Sequence, residues 1–374
     1  RSSKSMNPMV FVAAGGRLLA RFLRKADKRV WMVVGVVVAV AAMQAQYLMD
    51  VGIRLGSTPL DPRTGILIPP SKGDLEDIFT GKAALCVGCT KGIGRGIAEA
   101  LSEVGASPVA VVGRTAAPTN QFAADLSTVK GCHSLSDALK EKGTVYDYVF
   151  LTVGVWPNFR DPFTADGLER TLAIDLLARH VVLSRLVEDD LLADGAVIVN
   201  TLASAQQFPF VNKQSIKHRL TTRRPPTSLF GTLFPIAVAA DAYLSAAAKH
   251  FRTDTTHQQI SRKQRNLTFA GVFPGVVKTD VQAATLPAWA LPLVKAAMTP
   301  FARSPRECGF AHLAIAARAP SDHDCCNGVT FWTHLLEGRL AHHLAYDADL
   351  IDLVWDVLAN HSTVLRSGGA VGLL

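Results

Sequence analysis

The sequence predicts an α/β protein: one doubly wound parallel sheet, preceded by an N-terminal transmembrane helix. Three observations carry this reading. From residue 81 onward, short apolar runs of strand type alternate with helical patterns. The first run, 82–87 (KAALCV), passes straight into a glycine-rich turn and then a helix. Upstream, residues 31–49 (WMVVGVVVAVAAMQAQYLM) carry no charge, and a helix of that length nearly crosses a hydrocarbon layer of ~30 Å. With 374 residues, 49% hydrophobic and 19% charged, the chain can bury a large core, which excludes a disordered protein. Six Cys are too few for a disulfide scaffold.

Taken in order, residues 1–29 form a basic arm. Arg1, Lys4, Arg17, Arg21, Arg24, Lys25, Lys28 and Arg29 stand against Asp27 alone, so seven of the eight net positive charges lie there. The body is close to neutral, which argues against a nucleic-acid partner. The arm's pattern of Leu and Phe among Arg fits a mitochondrial targeting segment, or a basic helix on an anionic membrane, or the flank of an endoplasmic-reticulum signal-anchor. Residues 30–50 are the expected span, with Trp31 and Tyr47 near its ends where amphipathic rings favour the interface. Residues 51–80 hold Pro59, Pro62, Pro69 and Pro70 and read as a tether. A dinucleotide-binding domain is expected over 81–362, with a tail at 363–374.

The turn after the first strand reads Gly88-Cys89-Thr90-Lys91-Gly92-Ile93-Gly94-Arg95-Gly96. Glycines there let the backbone approach a pyrophosphate, which would sit on the N-terminus of the following helix. The next strand, 107–112, ends at Gly113-Arg114. An acid at this place grips a ribose 2′-hydroxyl; Arg114, with Lys91 and Arg95 nearby, suits a 2′-phosphate and so favours NADP(H).

With these residues the chain resembles the short-chain dehydrogenase/reductase family, whose Gly-x-x-x-Gly-x-Gly pattern matches Gly88, Gly92 and Gly94. The resemblance extends over about residues 80–360 and implies a Rossmann-like fold. By it, Asp125-Leu126 would contact adenine and Gly154 would end the fourth strand. Residues 169–179 (ERTLAIDLLAR) would form the interface helix, and 273–279 (FPGVVKT), with Pro274, Gly275 and Thr279, would cap the nicotinamide. Residues 347–359 (DADLIDLVWDVLA) resemble the C-terminal helix of retinol-dehydrogenase-like members. The implied cofactor contacts are Gly88, Thr90, Lys91, Gly92, Ile93, Gly94, Arg114, Asp125, Leu126, Gly154, Pro274, Gly275 and Thr279.

The family's catalytic half is not recognisable. Tyr-x-x-x-Lys is needed to place both side chains on one helical face. Four residues after Tyr47, Tyr146, Tyr148, Tyr243 and Tyr346 come Val51, Phe150, Thr152, Ala247 and Leu350, none a Lys. The nearest substitute, Tyr243 with Lys249, leaves the two about 120° apart around a helix. The family's Asn position reads Asp175, and its Ser position falls near Ser204. Asp175, Ser204, Tyr243 and Lys249 are therefore weak catalytic candidates. A comparable departure from Tyr-x-x-x-Lys resembles that of a branch of the family in fungi and protists.

Other features are expected to be incidental. Cys86-x-x-Cys89 lacks a second pair, and neither it nor His323-Asp324-Cys325-Cys326 is expected to bind a metal. His342-His343 is expected on a solvated turn, and 213–224 (KQSIKHRLTTRR) as a basic loop where the family places a substrate lid. The functional expectation is a membrane-anchored NADP(H)-binding protein that has lost conventional catalysis. It would serve as an accessory subunit of a mitochondrial inner-membrane assembly, among other membrane-protein subunits. It resembles the dehydrogenase-like accessory subunits of respiratory complexes at the level of fold. The alternative is an active NADPH-dependent oxidoreductase of lipophilic carbonyls; an endoplasmic-reticulum location is the second choice.

Overall fold

The computed structural model describes residues 65, 67–115, 121–202, 211–226, 228–253, 266–299, 302–319 and 329–369. The basic arm, the expected span and Ser204 lie outside these residues. The chain divides into two compact units, one of Arg1–Leu55 with Pro287–Phe301 and one of Gly56–Leu286 with Ala302–Leu374.

In the larger unit the strands are β1 (Ala84–Val87), β2 (Val109–Gly113), β3 (Phe122–Ala123), β4 (Tyr146–Leu151), β5 (Leu192–Thr201), β6 (Thr268–Phe273) and β7 (Val329–Thr333). They form one sheet in the order β3-β2-β1-β4-β5-β6-β7, with every neighbouring pair parallel. A parallel sheet is covered on both faces, so its strands are apolar throughout rather than alternating. In β1, Leu85 and Val87 enter one core, while Ala84 and Cys86 enter the other.

The helices are α1 (Lys72–Phe79), α2 (Gly92–Glu103), α3 (Val129–Lys142), α4 (Ala178–Glu188), α5 (Lys213–Thr221) and α6 (Leu229–Thr253), followed by α7 (Leu291–Met298), α8 (Pro305–Arg318) and α9 (Ala348–Arg366). One core takes residues of α3, α4, α6 and α9; the other takes those of α1, α2 and α8. Helix α4 is preceded by a π-helical turn, Leu172–Leu177. Among the described residues, one helix stretch, Gly231–Phe251 in α6, is long and apolar enough to cross a membrane, and it is buried in the core.

Helices α2 and α8 pack backbone to backbone. A Cβ on Gly96 would stand 1.8 Å from the Pro305 carbonyl oxygen, and one on Gly309 would stand 2.1 Å from the Gly96 carbonyl oxygen. Only glycine fits at either position.

Four stretches differ from expectation. The tether contains α1, begun by a capping box in which Ser71 and Asp74 satisfy each other's backbone N–H groups, with Leu75 and Phe79 buried. The chain is tied down even earlier, since Leu67 N donates to Leu336 O and Gly338 N to Gly65 O, both at 2.7 Å. Residues 213–221 are helix, not loop, because an Asn212–Ser215 capping box starts α5 and Ile216 and Leu220 bury one face. His342 is 4% exposed, and its Nδ1 accepts from Leu344 N, so it is no solvated residue. Helix α9 runs to Arg366, four residues into the expected tail.

Candidate functional site

The strand order reverses between β1 and β4, and ligands in open α/β sheets bind in the crevice beyond the carboxyl ends at such a switch point. Gly88 leaves β1 there with φ of 86°, and a Cβ on it would lie 2.7 Å from the Val153 Cα. A Cβ on Gly94 would lie 2.6 Å from the Gly88 carbonyl oxygen and the Thr152 Oγ1. These approaches hold the turn tightly against β1 and β4. Helix α2 opens at Gly92 after an extended Lys91, with no side chain capping it and no acid in its first turn. Its first N–H groups and its dipole thus suit an anion. The residues present fit a dinucleotide pyrophosphate.

The sequence-predicted cofactor residues fall around this cradle. Thr90, Lys91, Gly92, Ile93 and Gly94 form the turn and the start of α2. The register pairs Val87 with Val112, so Arg114, exposed just past β2, emerges beside the turn. Arg95 is turned to its own helix, its Nε 2.7 Å from Glu99 Oε1. Asp125 and Leu126 follow β3; Asp125 Oδ1 accepts from Ser127 N at 3.1 Å, and Leu126 is buried. Pro274, Gly275 and Thr279 follow β6, and a Cβ on Gly92 would lie 3.0 Å from Thr279 Cγ2. The capping segment therefore reaches the phosphate turn. Gly275 is left-handed, and a Cβ there would strike the His334 ring at 2.7 Å. Gly154 lies past β4, where a Cβ would lie 3.4 Å from Arg179 Nη2 and 3.6 Å from Asp175 Oδ1.

Arg179 is the functional-site residue that sequence reasoning missed. It is 5% exposed and lies one turn beyond Asp175. Its Nη2 and Nε donate to the Val153 carbonyl at 2.6 and 3.1 Å. Its Nη1 donates to Asn200 Oδ1 at 2.5 Å and to the Thr201 carbonyl at 2.8 Å. One guanidinium thus clamps the carboxyl ends of β4 and β5. The network continues into α8: His312, fully buried, lies with Nε2 3.1 Å from Thr201 Oγ1 and Nδ1 2.8 Å from the Cys308 carbonyl. Nδ1 must donate to that carbonyl, so Nε2 accepts from the Thr201 hydroxyl. Burial lowers the His312 pKa to about 4. The sequence signal for Arg179 was its four-residue spacing from Asp175.

Asp175 sits on the π-helical turn, and its Oδ1 accepts from Val155 N at 2.8 Å. Burial raises its pKa to about 7, against the opposing effects of Arg179 and that hydrogen bond. The other candidates are not brought together. Tyr243 is fully buried among core side chains, with its ring edge-on to His180 at 5.9 Å and no hydrogen-bond partner for its hydroxyl. Burial drives its pKa far up. Lys249 is half-exposed and pairs with Asp352 on α9.

Cys86 and Cys89 are free thiols buried beneath the turn. Cys89 Sγ lies 3.4 Å from Thr152 Oγ1, and burial pushes the Cys86 thiol well up, which disfavours the reactive thiolate. Among the described residues no group of three His, Cys, Asp or Glu side chains is placed to hold a metal.

No family model and no curated protein matches the chain. Solved structures similar to it include the 3-alpha-hydroxysteroid dehydrogenase from a Pseudomonas species, complexed with NADH. It is 19% identical over 67% of this chain and 95% of that one, with a TM-score of 0.49. The angucycline C-6 ketoreductase LanV with bound NADP is 20% identical over 68% and 95%, with a TM-score of 0.46. A short chain dehydrogenase family protein from Francisella tularensis is 17% identical over 68% and 97%, with a TM-score of 0.44. The strand order, the glycine turn after β1 and the Pro274–Thr279 segment meeting that turn give the chain the doubly wound, Rossmann-like fold that its resemblance to the short-chain dehydrogenases/reductases implies.

Proposed function

We propose that the protein is a membrane-anchored NADP(H)-binding member of this fold without the conventional proton relay. It would act as an accessory subunit of a mitochondrial inner-membrane assembly, anchored in the bilayer through residues 30–50. The observation that carries the reading is the Arg179 clamp on Val153, Asn200 and Thr201, set against a Tyr243 sunk in the core. The glycine cradle supports dinucleotide binding, and exposed Arg114 beside it supports a preference for the 2′-phosphate. The basic arm and the uncharged run at 31–49 support the anchoring.

The test is titration of the full chain in detergent with NADPH and NADH, followed by turnover assays with aldehydes and ketones. NADPH is expected to bind more tightly, and Arg114→Ala is expected to remove that preference without weakening NADH. No turnover above background is expected. Turnover at an ordinary enzymatic rate overturns the accessory reading.

A second reading rests on Asp175, whose carboxyl stands at the family's Asn position and is held protonated up to near neutrality. In an active reductase of lipophilic carbonyls, bound NADPH would supply the hydride to the carbonyl carbon. Asp175 would then give its proton to the oxygen and be reprotonated from solvent. Turnover that disappears in Asp175→Asn supports this reading.

A further inference from the structure

Between β4 and the π-helical turn the chain bends tightly at 164–167, where Gly167 N donates to the Thr164 carbonyl at 2.9 Å and Thr164 N to the Leu168 carbonyl at 2.8 Å. Asp166 lies in that bend, half-buried, and its Oδ2 accepts from Val129 N at 2.7 Å. The bond spans 37 residues of sequence. It meets the first N–H of α3, an end where the helix dipole favours a carboxylate. Arg223 holds the bend from its other side. Its guanidinium lies over the Phe163 ring, 5.4 Å from the centroid, and a Cβ on Gly167 would stand 3.0 Å from its Nη2.

The start of α3 in turn holds Asp125. Ser127 N donates to Asp125 Oδ1 at 3.1 Å, and both the N–H and the hydroxyl of Thr128 donate to the Asp125 carbonyl at 3.3 Å. Gly131 N donates to Thr128 Oγ1 at 3.1 Å. A Cβ on Gly131 would stand 2.0 Å from the Asp125 carbonyl oxygen, so a shift of the α3 N-terminus carries Asp125 with it. This segment stands beside the cradle, since Ala123 of β3 pairs with Gly113 of β2, the residue before Arg114. A dinucleotide with its pyrophosphate on α2 and its 2′-phosphate at Arg114 places its adenine, which is joined to the same ribose, over the ends of β2 and β3. That position faces residues 125 and 126.

We propose that Asp166 is a positioning residue for the adenine end of the dinucleotide site, acting through Val129 on Asp125 and Leu126. This rests on the dinucleotide-binding part of the proposed function. Removing the Asp166 carboxylate leaves the buried Val129 N–H without its acceptor and frees the α3 N-terminus to move. The pyrophosphate and nicotinamide ends are built by α2 and by Pro274–Thr279, which Asp166 does not hold. The effect is therefore confined to the adenine half.

The test measures binding of two probes to the full chain in detergent: NADPH, and adenosine 2′,5′-bisphosphate, which lacks the nicotinamide half. Asp166→Ala is expected to weaken both by the same factor, about tenfold, as for one lost hydrogen bond to a charged acceptor. Asp166→Asn keeps a side-chain oxygen for Val129 and is expected to recover most of the affinity. Unchanged binding of both probes in a folded Asp166→Ala overturns the assignment and leaves Asp166 a helix cap only. A greater loss for NADPH than for the bisphosphate overturns it in favour of a general loosening of the site, and so does an Asn variant that binds no better than the Ala variant. Should Asp166→Ala fail to fold, Arg223→Ala loosens the same bend from its exposed side. Equal weakening of both probes then supports the positioning role, and unchanged affinities overturn it. If the wild type binds neither probe, the dinucleotide reading itself fails, and the positioning role with it.

Discussion

Arg179 and Thr201 are joined across two elements: the guanidinium Nη1 on α4 donates at 2.8 Å to the carbonyl that ends β5. The same nitrogen holds Asn200, and its neighbours hold Val153 past β4. The planar fork of Arg spans these acceptors as a point-charge ammonium cannot. Arg179→Met is expected to lower stability by about 3 kcal/mol, since buried acceptors lose their donor. Arg179→Lys is expected to recover only part of the loss. Thermal or urea unfolding of both variants measures this.

Tyr243 gives the opposite sign. Its hydroxyl is buried without a partner, so the folded state carries a desolvated polar group for no hydrogen bond. Tyr243→Phe is expected to raise stability by about 1 kcal/mol and to leave NADPH affinity unchanged. A loss of turnover in this variant, were turnover found, would assign the hydroxyl a catalytic role that its burial argues against.

Asp175 sets a pH dependence. Its folded pKa lies at about 7 against an ordinary 3.8, so the folded state prefers the protonated carboxyl. That preference contributes stability fully below about pH 4, and the contribution is lost as pH rises to about 7. Its size is on the order of 2–4 kcal/mol at most. Urea midpoints measured from pH 4 to pH 8 are expected to fall more steeply in the wild type than in Asp175→Asn.

The glycine contact between α2 and α8 predicts a sharp positional contrast. Gly96→Ala places a methyl 1.8 Å from the Pro305 carbonyl and is expected to cost about 3 kcal/mol through overpacking. Gly73→Ala meets nothing closer than Ser71 Oγ at 3.7 Å and is expected to gain about 0.5 kcal/mol as a helix substitution. Melting temperatures of the pair check the contrast.

What could be read in advance follows from how far apart the causes lie along the chain. The β1 run, its turn and α2 are contiguous, and so is the long amphipathic pattern that became α9; each is visible in a short window. Helix α1 was also visible, because Ser71 and Asp74 have capping-box spacing, but the neighbouring Pro69 and Pro70 drew the segment toward a tether. In 213–221, the basic residues masked the four-residue spacing of Ile216 and Leu220. Arg179 was hidden for a different reason. Its partners, Val153, Asn200 and Thr201, are 21 to 26 residues away and accept largely through backbone carbonyls, which have no sequence signature. The same holds for Gly96 and Gly309, whose meaning appears only when two distant helices touch.

The backbone ties of Leu67 to Leu336 and of Gly338 to Gly65 fasten the start of the body just past β7, at the opposite edge of the sheet from β3. A pull on the chain at residue 65 would therefore load these two hydrogen bonds first. The glycine turn after β1 lies four strands from that edge, so the cradle is shielded from a force entering there.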